Sequence, residues 1–471
     1  MAHWLRDRGF EAYAVRGGVA ALTGEGLDAE AVPGEEAAPK RPARVLAALG
    51  VPLFRRYSAG VLLSLIGNWV EAAAYGYVVL LLGGSAATLG LIGFLNTIPN
   101  LVFALPAGAL ADRYDRRKLL LIFQSLNMAL AAALAVTWAT GILTVGLLGA
   151  LAVLGGILGT LSFAPFQAML AATVPKRDLE SAVAINSLSL QVARFVGPAI
   201  AGFLLATAGP TWVFGVNAVS FIAVLGTLAV LPGSRPVPGA VAHGRGAISE
   251  AFRFVFGQRS LAAMIVLMLV AGLFGTPPVA FMIPAIVRDN LDAGAGTLGA
   301  IMAAIGLGSL LGSLALLRLS TRPNKGEPLL VGFVVTGAAL AGVGASTNAW
   351  LSLVLAFVGG FAGVLFVGLS TVVVQAMSTN EIRARALAIW AAAFVGMLPF
   401  GALLTGGLAA VIGPGGAVFV DGVAVVVGAI VVVALRPQVA WLGCAALPES
   451  CVAGSNPVAV AFEVEAQPSI P

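Results

Sequence analysis

Gly155-Gly156-Ile157-Leu158-Gly159-Thr160-Leu161 recurs 204 residues further on as Gly359-Gly360-Phe361-Ala362-Gly363-Val364-Leu365. Each copy lies inside a long apolar run, 142–170 and 350–377. The same offset superposes Ala184-Ile185 on Ala388-Ile389, Gly197 on Gly401, Gly202 on Gly406 and Gly209-Pro210 on Gly413-Pro414. An offset that holds through two runs and the connection that follows them marks a duplicated unit. Small residues four apart, Gly155 with Gly159 and Gly308 with Gly312, suit close approach of helix backbones and are read as packing positions.

The rest of the chain has the same character. Of 471 residues 59% are apolar and 10% charged, with mean hydropathy +0.99, more than a soluble fold can hide. A hydrocarbon layer about 30 Å thick takes roughly 20 apolar residues per helix. Twelve runs qualify: 58–82, 88–110, 119–139, 142–170, 181–206 and 212–231, then 260–287, 297–317, 329–346, 350–377, 385–411 and 415–435. Barrel strands alternate apolar and polar residues, whereas these runs are apolar on every face. The expected fold is an all-α polytopic membrane protein of twelve transmembrane helices in two six-helix pseudo-repeats, 45–231 and 260–435. A disordered tail (1–44), a linker (232–259) and a C-terminal tail (436–471) flank them.

Lys and Arg fall on alternate loops: Arg55 and Arg56, Arg113 to Lys118, Lys176 and Arg177, the linker, Arg318 to Lys325, then Arg383 and Arg385. The intervening loops carry only Arg288 with Asp289 and Asp292. The positive-inside rule then puts both termini in the cytoplasm. Membrane anchoring accounts for the basic loops, so no nucleic-acid partner is expected. Cys444 and Cys451 fall in the C-terminal tail, where a reducing compartment argues against a disulfide. Duplicated helical halves are a common transporter plan, with the substrate site between them near the bilayer midplane.

Between the second and third runs stands Gly108-Ala-Leu-Ala-Asp112-Arg113-Tyr-Asp115-Arg116-Arg117-Lys118. This resembles the signature loop of the major facilitator superfamily, with Asp115 where the usual pattern has a second glycine. Two further stretches, Val174 to Ser187 and Ala193-Arg194-Phe-Val-Gly197-Pro198-Ala-Ile-Ala-Gly202, with Gly67-Asn-Trp69-Val, are similar to the branch of siderophore, drug and macrolide exporters, the transmembrane secretion effector type; Glu71 stands where that branch is expected to carry glutamine. The resemblance covers about residues 50–435. It implies a charge network of Asp112, Arg113 and Arg116 that latches the outward-facing state against the start of the eleventh helix, where Glu381, Arg383 and Arg385 are partner candidates. It also makes Gly197, Pro198 and Gly202 a fifth-helix motif linked to antiporters, and implies export by a monomer in the bacterial inner membrane.

Three ionisable residues fall well inside the runs, Glu71, Arg194 and Asp421. Such groups are costly in hydrocarbon and are functional by default. Glu71 and Arg194 reach similar depths, and the first and fifth helices adjoin in the family fold, so a buried pair is expected, serving either as a structural salt bridge or as a proton relay. Asp421 matches Asn217 under the offset and is read either as a hydrated or hydrogen-bonded helix position or as a coupling group. Asn68, Asn96, Asn186 and Gln191 are expected to line the cavity; Trp69, Tyr75 and Phe163 are candidate contacts for a greasy ligand.

An enzyme needs a nucleophile with a base, or a metal cluster, yet the two histidines, His3 and His243, lie outside the runs. No phosphate-binding Gly-x-x-x-x-Gly-Lys-Ser/Thr loop is present. No cofactor is expected. The leading reading is a proton-coupled exporter of a small hydrophobic or amphipathic molecule; solute uptake, or a non-transporting sensor or scaffold, are the competing ones.

Overall fold

A backbone in hydrocarbon has no water to satisfy its amides, so these runs must close their hydrogen bonds within helices. The computed structural model describes residues 14–15, 29–30, 47–231, 233, 252–378, 382–437 and 439. The first half holds α1 (Pro52–Leu81), α2 (Ala86–Arg113), α3 (Arg116–Ala139), α4 (Val145–Ala172), α5 (Leu179–Thr207) and α6 (Pro210–Val230). The second holds α7 (Arg259–Asn290), which includes π-helical turns, α8 (Ala295–Leu319), α9 (Gly326–Ala345) and α10 (Ala349–Met377). Next come Arg383–Val395 and, past a break at Gly396-Met397, Leu398–Leu435.

Together these last segments make 53 residues, about 80 Å of helix against a ~30 Å hydrocarbon layer, so they cross twice. The division falls at Gly413, whose φ is 77°; residues 398–412 complete α11 and 414–435 form α12. Gly209, at φ 83°, makes the same turn ahead of Pro210 at the start of α6. Glycine takes positive φ without a Cβ penalty, and proline starts the next helix with φ already set. The Gly-Pro pair matched by the offset is thus one hinge used twice, and the twelve expected spans are present.

A two-residue antiparallel pairing joins Ala14–Val15 to Ala29–Glu30. The rest of the tail at 1–44, most of the linker, the C-terminal tail beyond 439, His3, His243, Cys444, Cys451 and Glu381 lie outside the described residues.

The two ends of the bundle differ. At the end with few loop charges, the bare end, one apolar cluster spans both halves, with Val78, Leu89 and Phe214 packed with Met282, Ile286, Leu298 and Val418. Toward the basic end the cores separate, one around Leu120, Met169 and Val224, the other around Leu267, Phe333 and Leu369. Bare-end contact reaches the backbone. A Cβ placed on Gly299 of α8 would lie 2.5 Å from the Gly202 Cα of α5, and one on Gly406 of α11 would lie 2.7 Å from the Gly90 Cα of α2.

Gly308 and Gly312 pack on Phe357 and Phe361 of α10, as their spacing suggests. Gly155 and Gly159 do not play that part: Gly159 has no neighbour within 4 Å of its Cβ direction, and the tight contact of α4 belongs to Gly156, against Asn96 of α2. Spacing of four identifies a face without saying what meets it. Substituting Gly299→Leu is expected to force α5 from α8. Spin labels at Ala208 and Ala293 should then move apart in pulsed electron resonance, and an unchanged distance would mean that this crossing does not hold the halves together.

Candidate functional site

Between the halves lies a cavity of about 710 Å³. Its wall runs from Gly76 and Leu89 near the bare end to Tyr57, Gln124 and Phe166 nearer the basic end. Helical periodicity selects the lining: α1 contributes Ser64, Asn68, Glu71 and Tyr75, and α5 contributes Asn186, Leu190, Arg194 and Pro198, steps of three and four that share a face. The second half supplies Thr276, Val279, Ala280, Phe281, Met302 and Ile305, so both charges and every amide in the wall come from the first half.

Glu71 and Arg194 both face this space but form no ion pair. The Asn217 amide, 2% exposed on α6, donates Nδ2–H to Glu71 Oε2 at 2.6 Å. The Arg194 guanidinium lies over the Trp69 ring, 5.2 Å from its centroid. Equal depth on adjoining helices did not fix where the side chains point. Glu71 turns to α6, while Trp69, two residues before it, takes the Arg194 cation.

Asp421 is fully buried and lies outside the cavity wall. Thr405 donates its hydroxyl to Asp421 Oδ2 at 2.6 Å, and Oδ1 has no partner among the described residues. Of its expected environments, the hydrogen-bonded one is present. Asn68, Asn96 and Asn186 line the cavity as expected, as do Trp69, Tyr75 and Phe163. Gln191 does not. Its Nε2–H donates to the Ser309 carbonyl at 3.1 Å and to Ser313 Oγ at 2.9 Å, bridging α5 to α8 across the halves. It lies three residues from Arg194, rotated off the cavity face onto the neighbouring helix.

In the basic-end loop Asp115 caps α3, accepting from the Arg117 and Lys118 amides at 2.9 and 3.3 Å. A short acidic side chain at this position satisfies amides that a glycine leaves open. Arg116 Nε donates to the Ala111 carbonyl and Arg117 Nε to the Leu228 carbonyl at the end of α6. Asp112 and Arg113 are exposed and make no ion pair among the described residues, and Gly108 has open space beside it. Arg383 donates to the Gln375 carbonyl, and Arg385 stands in the first turn of α11. Of the fifth-helix motif, Gly197 meets α1 at Trp69, Pro198 lines the cavity and Gly202 meets Gly299.

Sequence reading missed Asn217, Gln124, Asn127 and Gln167, and the Thr160 hydroxyl that donates to Asn100 Oδ1 at 2.9 Å. The available signal was an amide inside an apolar run, the same that identified Asn68.

Residues 43–456 match the family model described as transmembrane secretion effector. The chain belongs to this family of major facilitator transporters. It is 26% identical over 370 residues to the multidrug efflux pump Tap of Mycolicibacterium fortuitum, across 76% of this chain and 88% of the pump. It is also 26% identical to the enterobactin exporter EntS of Shigella flexneri, across 77% of this chain and 86% of the exporter. Solved structures share the fold: the nucleoside transporter NupG (TM-score 0.63, 14% identity, 81% of this chain and 98% of that one) and a D-xylose-proton symporter (TM-score 0.63, 18% identity, 80% and 96%). The protein is therefore a multi-pass membrane transporter with a small-molecule substrate, not an enzyme.

Asn217→Leu removes the donor to Glu71 and is expected to destabilise the transporter by about 1–3 kcal/mol, the cost of a buried polar group left unpaired. Thermal unfolding in detergent reads this as a lowered midpoint. Most of the loss should disappear when Glu71→Leu is added, since the second change removes the stranded carboxyl.

Proposed function

We propose that this transporter exports small hydrophobic or amphipathic molecules across the bacterial cytoplasmic membrane by alternating access, in exchange for protons, and acts as a monomer with both termini in the cytoplasm. The observation that carries the reading is the cavity closed at the bare end by one core common to both halves, with the two cores separate toward the basic end. Basic loops face the cytoplasm by the positive-inside rule, so this cavity is loaded from inside the cell. The names of the relatives, a multidrug efflux pump and an enterobactin exporter, favour export.

Glu71 is the proton carrier in this scheme. It is the carboxyl in the cavity wall, and it is held by a neutral amide rather than by Arg194. A carboxyl with no cationic partner gives up and accepts a proton without first breaking a salt bridge. Opening at the bare end exposes Glu71 to the outside, where it is protonated; opening at the basic end returns the proton to the cytoplasm and admits substrate. Asp421 is a second candidate, tied to Thr405 on α11, the helix that meets α2 at Gly90. Asp112, Arg113 and Arg116 are left to engage the start of α11 at Arg383 and Arg385, with Glu381, when the basic end closes. Gly108, beside open space here, admits that approach.

Inverted membrane vesicles test the scheme. Dye uptake into the lumen should be accompanied by proton release from it, and Glu71→Gln is expected to abolish that release while dye still binds. Coupling that survives the substitution eliminates Glu71 as carrier. Dye movement only in the opposite sense eliminates export.

A further inference from the structure

We propose that Arg194 and Trp69 form an anion-binding subsite in the cavity, and that the substrates are amphipathic organic anions, an apolar body bearing a carboxylate or sulfonate. The direction of their movement rests on the export reading; their binding does not.

Arg194 stands fifteen residues into α5, about 22 Å along the helix at ~1.5 Å per residue. A guanidinium at that depth is costly and is retained where it has something to bind. Among the described residues it forms no ion pair and donates no hydrogen bond; its one electrostatic contact is with the Trp69 ring, whose centroid lies 5.2 Å from its central carbon. No oxygen acceptor among the described residues takes its N–H donors, and those donors form the fork that takes a carboxylate or sulfonate with two parallel bonds.

Glu71, the other charge in the wall, is engaged by Asn217 and leaves the guanidinium uncommitted. Asn68 and Asn186 line the same space and offer neutral donors, while Phe163, Phe166, Phe281 and Met302 supply apolar surface for the rest of the molecule. A cavity of about 710 Å³ lies within the range of drug-sized ligand sites. A cationic ligand would meet the free guanidinium as a repulsion, and a neutral one would leave its donors unsatisfied.

Equilibrium dialysis of the full chain in lipid nanodiscs against naphthoate, naphthylmethanol and naphthylmethylammonium tests the subsite. Naphthoate is expected to bind about tenfold tighter than the alcohol, the worth of a charge-assisted pair, and the ammonium most weakly. Arg194→Met should erase the preference of naphthoate over the alcohol, and Arg194→Lys should keep part of it. Naphthoate, unlike the alcohol, should also protect Arg194 of the unmodified protein from phenylglyoxal, a measurement that stands if Arg194→Met fails to fold. Equal affinity for the three probes, a preference that survives Arg194→Met, or absence of protection overturns the proposal. Anion binding without movement in vesicles would sink the transport scheme and leave the subsite; movement of neutral dyes without anion preference would do the reverse.

Discussion

Helices in a bilayer are not pressed together by water, because lipid tails are as apolar as leucine. Contact between the halves therefore depends on how closely backbones approach, and at the bare end it depends on Gly202 against Gly299 and on Gly90 against Gly406. Both crossings lie at the bare end, each joining a helix of one half to a helix of the other, α5 to α8 and α2 to α11. With no side chain between them the helices touch along their backbones, and Met282, Ile286 and Leu298 fill the surrounding space against Val78 and Leu89. The cavity exists because the shared apolar core ends partway across the bundle. Toward the other end each half keeps its own core, and the gap widens into a space lined by amides.

Hydrocarbon also disciplines the polar groups. Glu71, Asp421 and Asn217 each meet a partner from a neighbouring helix: amide to carboxyl between α6 and α1, hydroxyl to carboxyl between α11 and α12. Gln191 does the same between halves, reaching two oxygens of α8. Since Ser309 and Ser313 belong to the opposite half, those bonds must break or slide if α5 and α8 separate along this length. Arg194 is the exception, a cation that among the described residues has neither an ion pair nor a hydrogen bond.

The architecture was legible in the chain because it rests on quantities that sequence carries directly: lengths of apolar runs, the sides on which arginines fall, and an offset of 204 that repeats Gly209-Pro210 as Gly413-Pro414. The positive φ at both glycines is the structural form of that repeat. Cavity composition was half legible. Asn68 and Asn186 line the cavity, since an amide in an apolar run needs a wet or polar neighbour, whereas Gln191, picked out by the same logic, meets another helix. The Glu71–Arg194 pair failed for a related reason. Helix rise gives depth, whereas direction depends on rotation about the helix axis, and an error of one residue, about 100°, turns a side chain from the lumen to a neighbour. Asn217 was overlooked although the offset had placed it opposite Asp421.

Duplication has preserved the frame and let the contents diverge. Gly197 and Gly401 sit at equivalent crossings, the first on α1 at Trp69, the second on α7 at Leu273, and those two contact positions are themselves one offset apart. At the next level the halves part company. Asn217 of the first half reaches a carboxyl on α1, while Asp421, its counterpart, is itself the carboxyl and reaches a hydroxyl on α11. The first half thereby turns its polar chemistry into the cavity, and the second buries its own between helices and offers the cavity Phe281, Met302 and Ile305. A molecule held between them meets hydrogen-bonding groups on one side and a nearly bare apolar wall on the other. In the alternating-access scheme proposed above, a second half that rocks away breaks few polar bonds to that molecule. In that scheme the polar wall sets what is bound while the apolar wall moves.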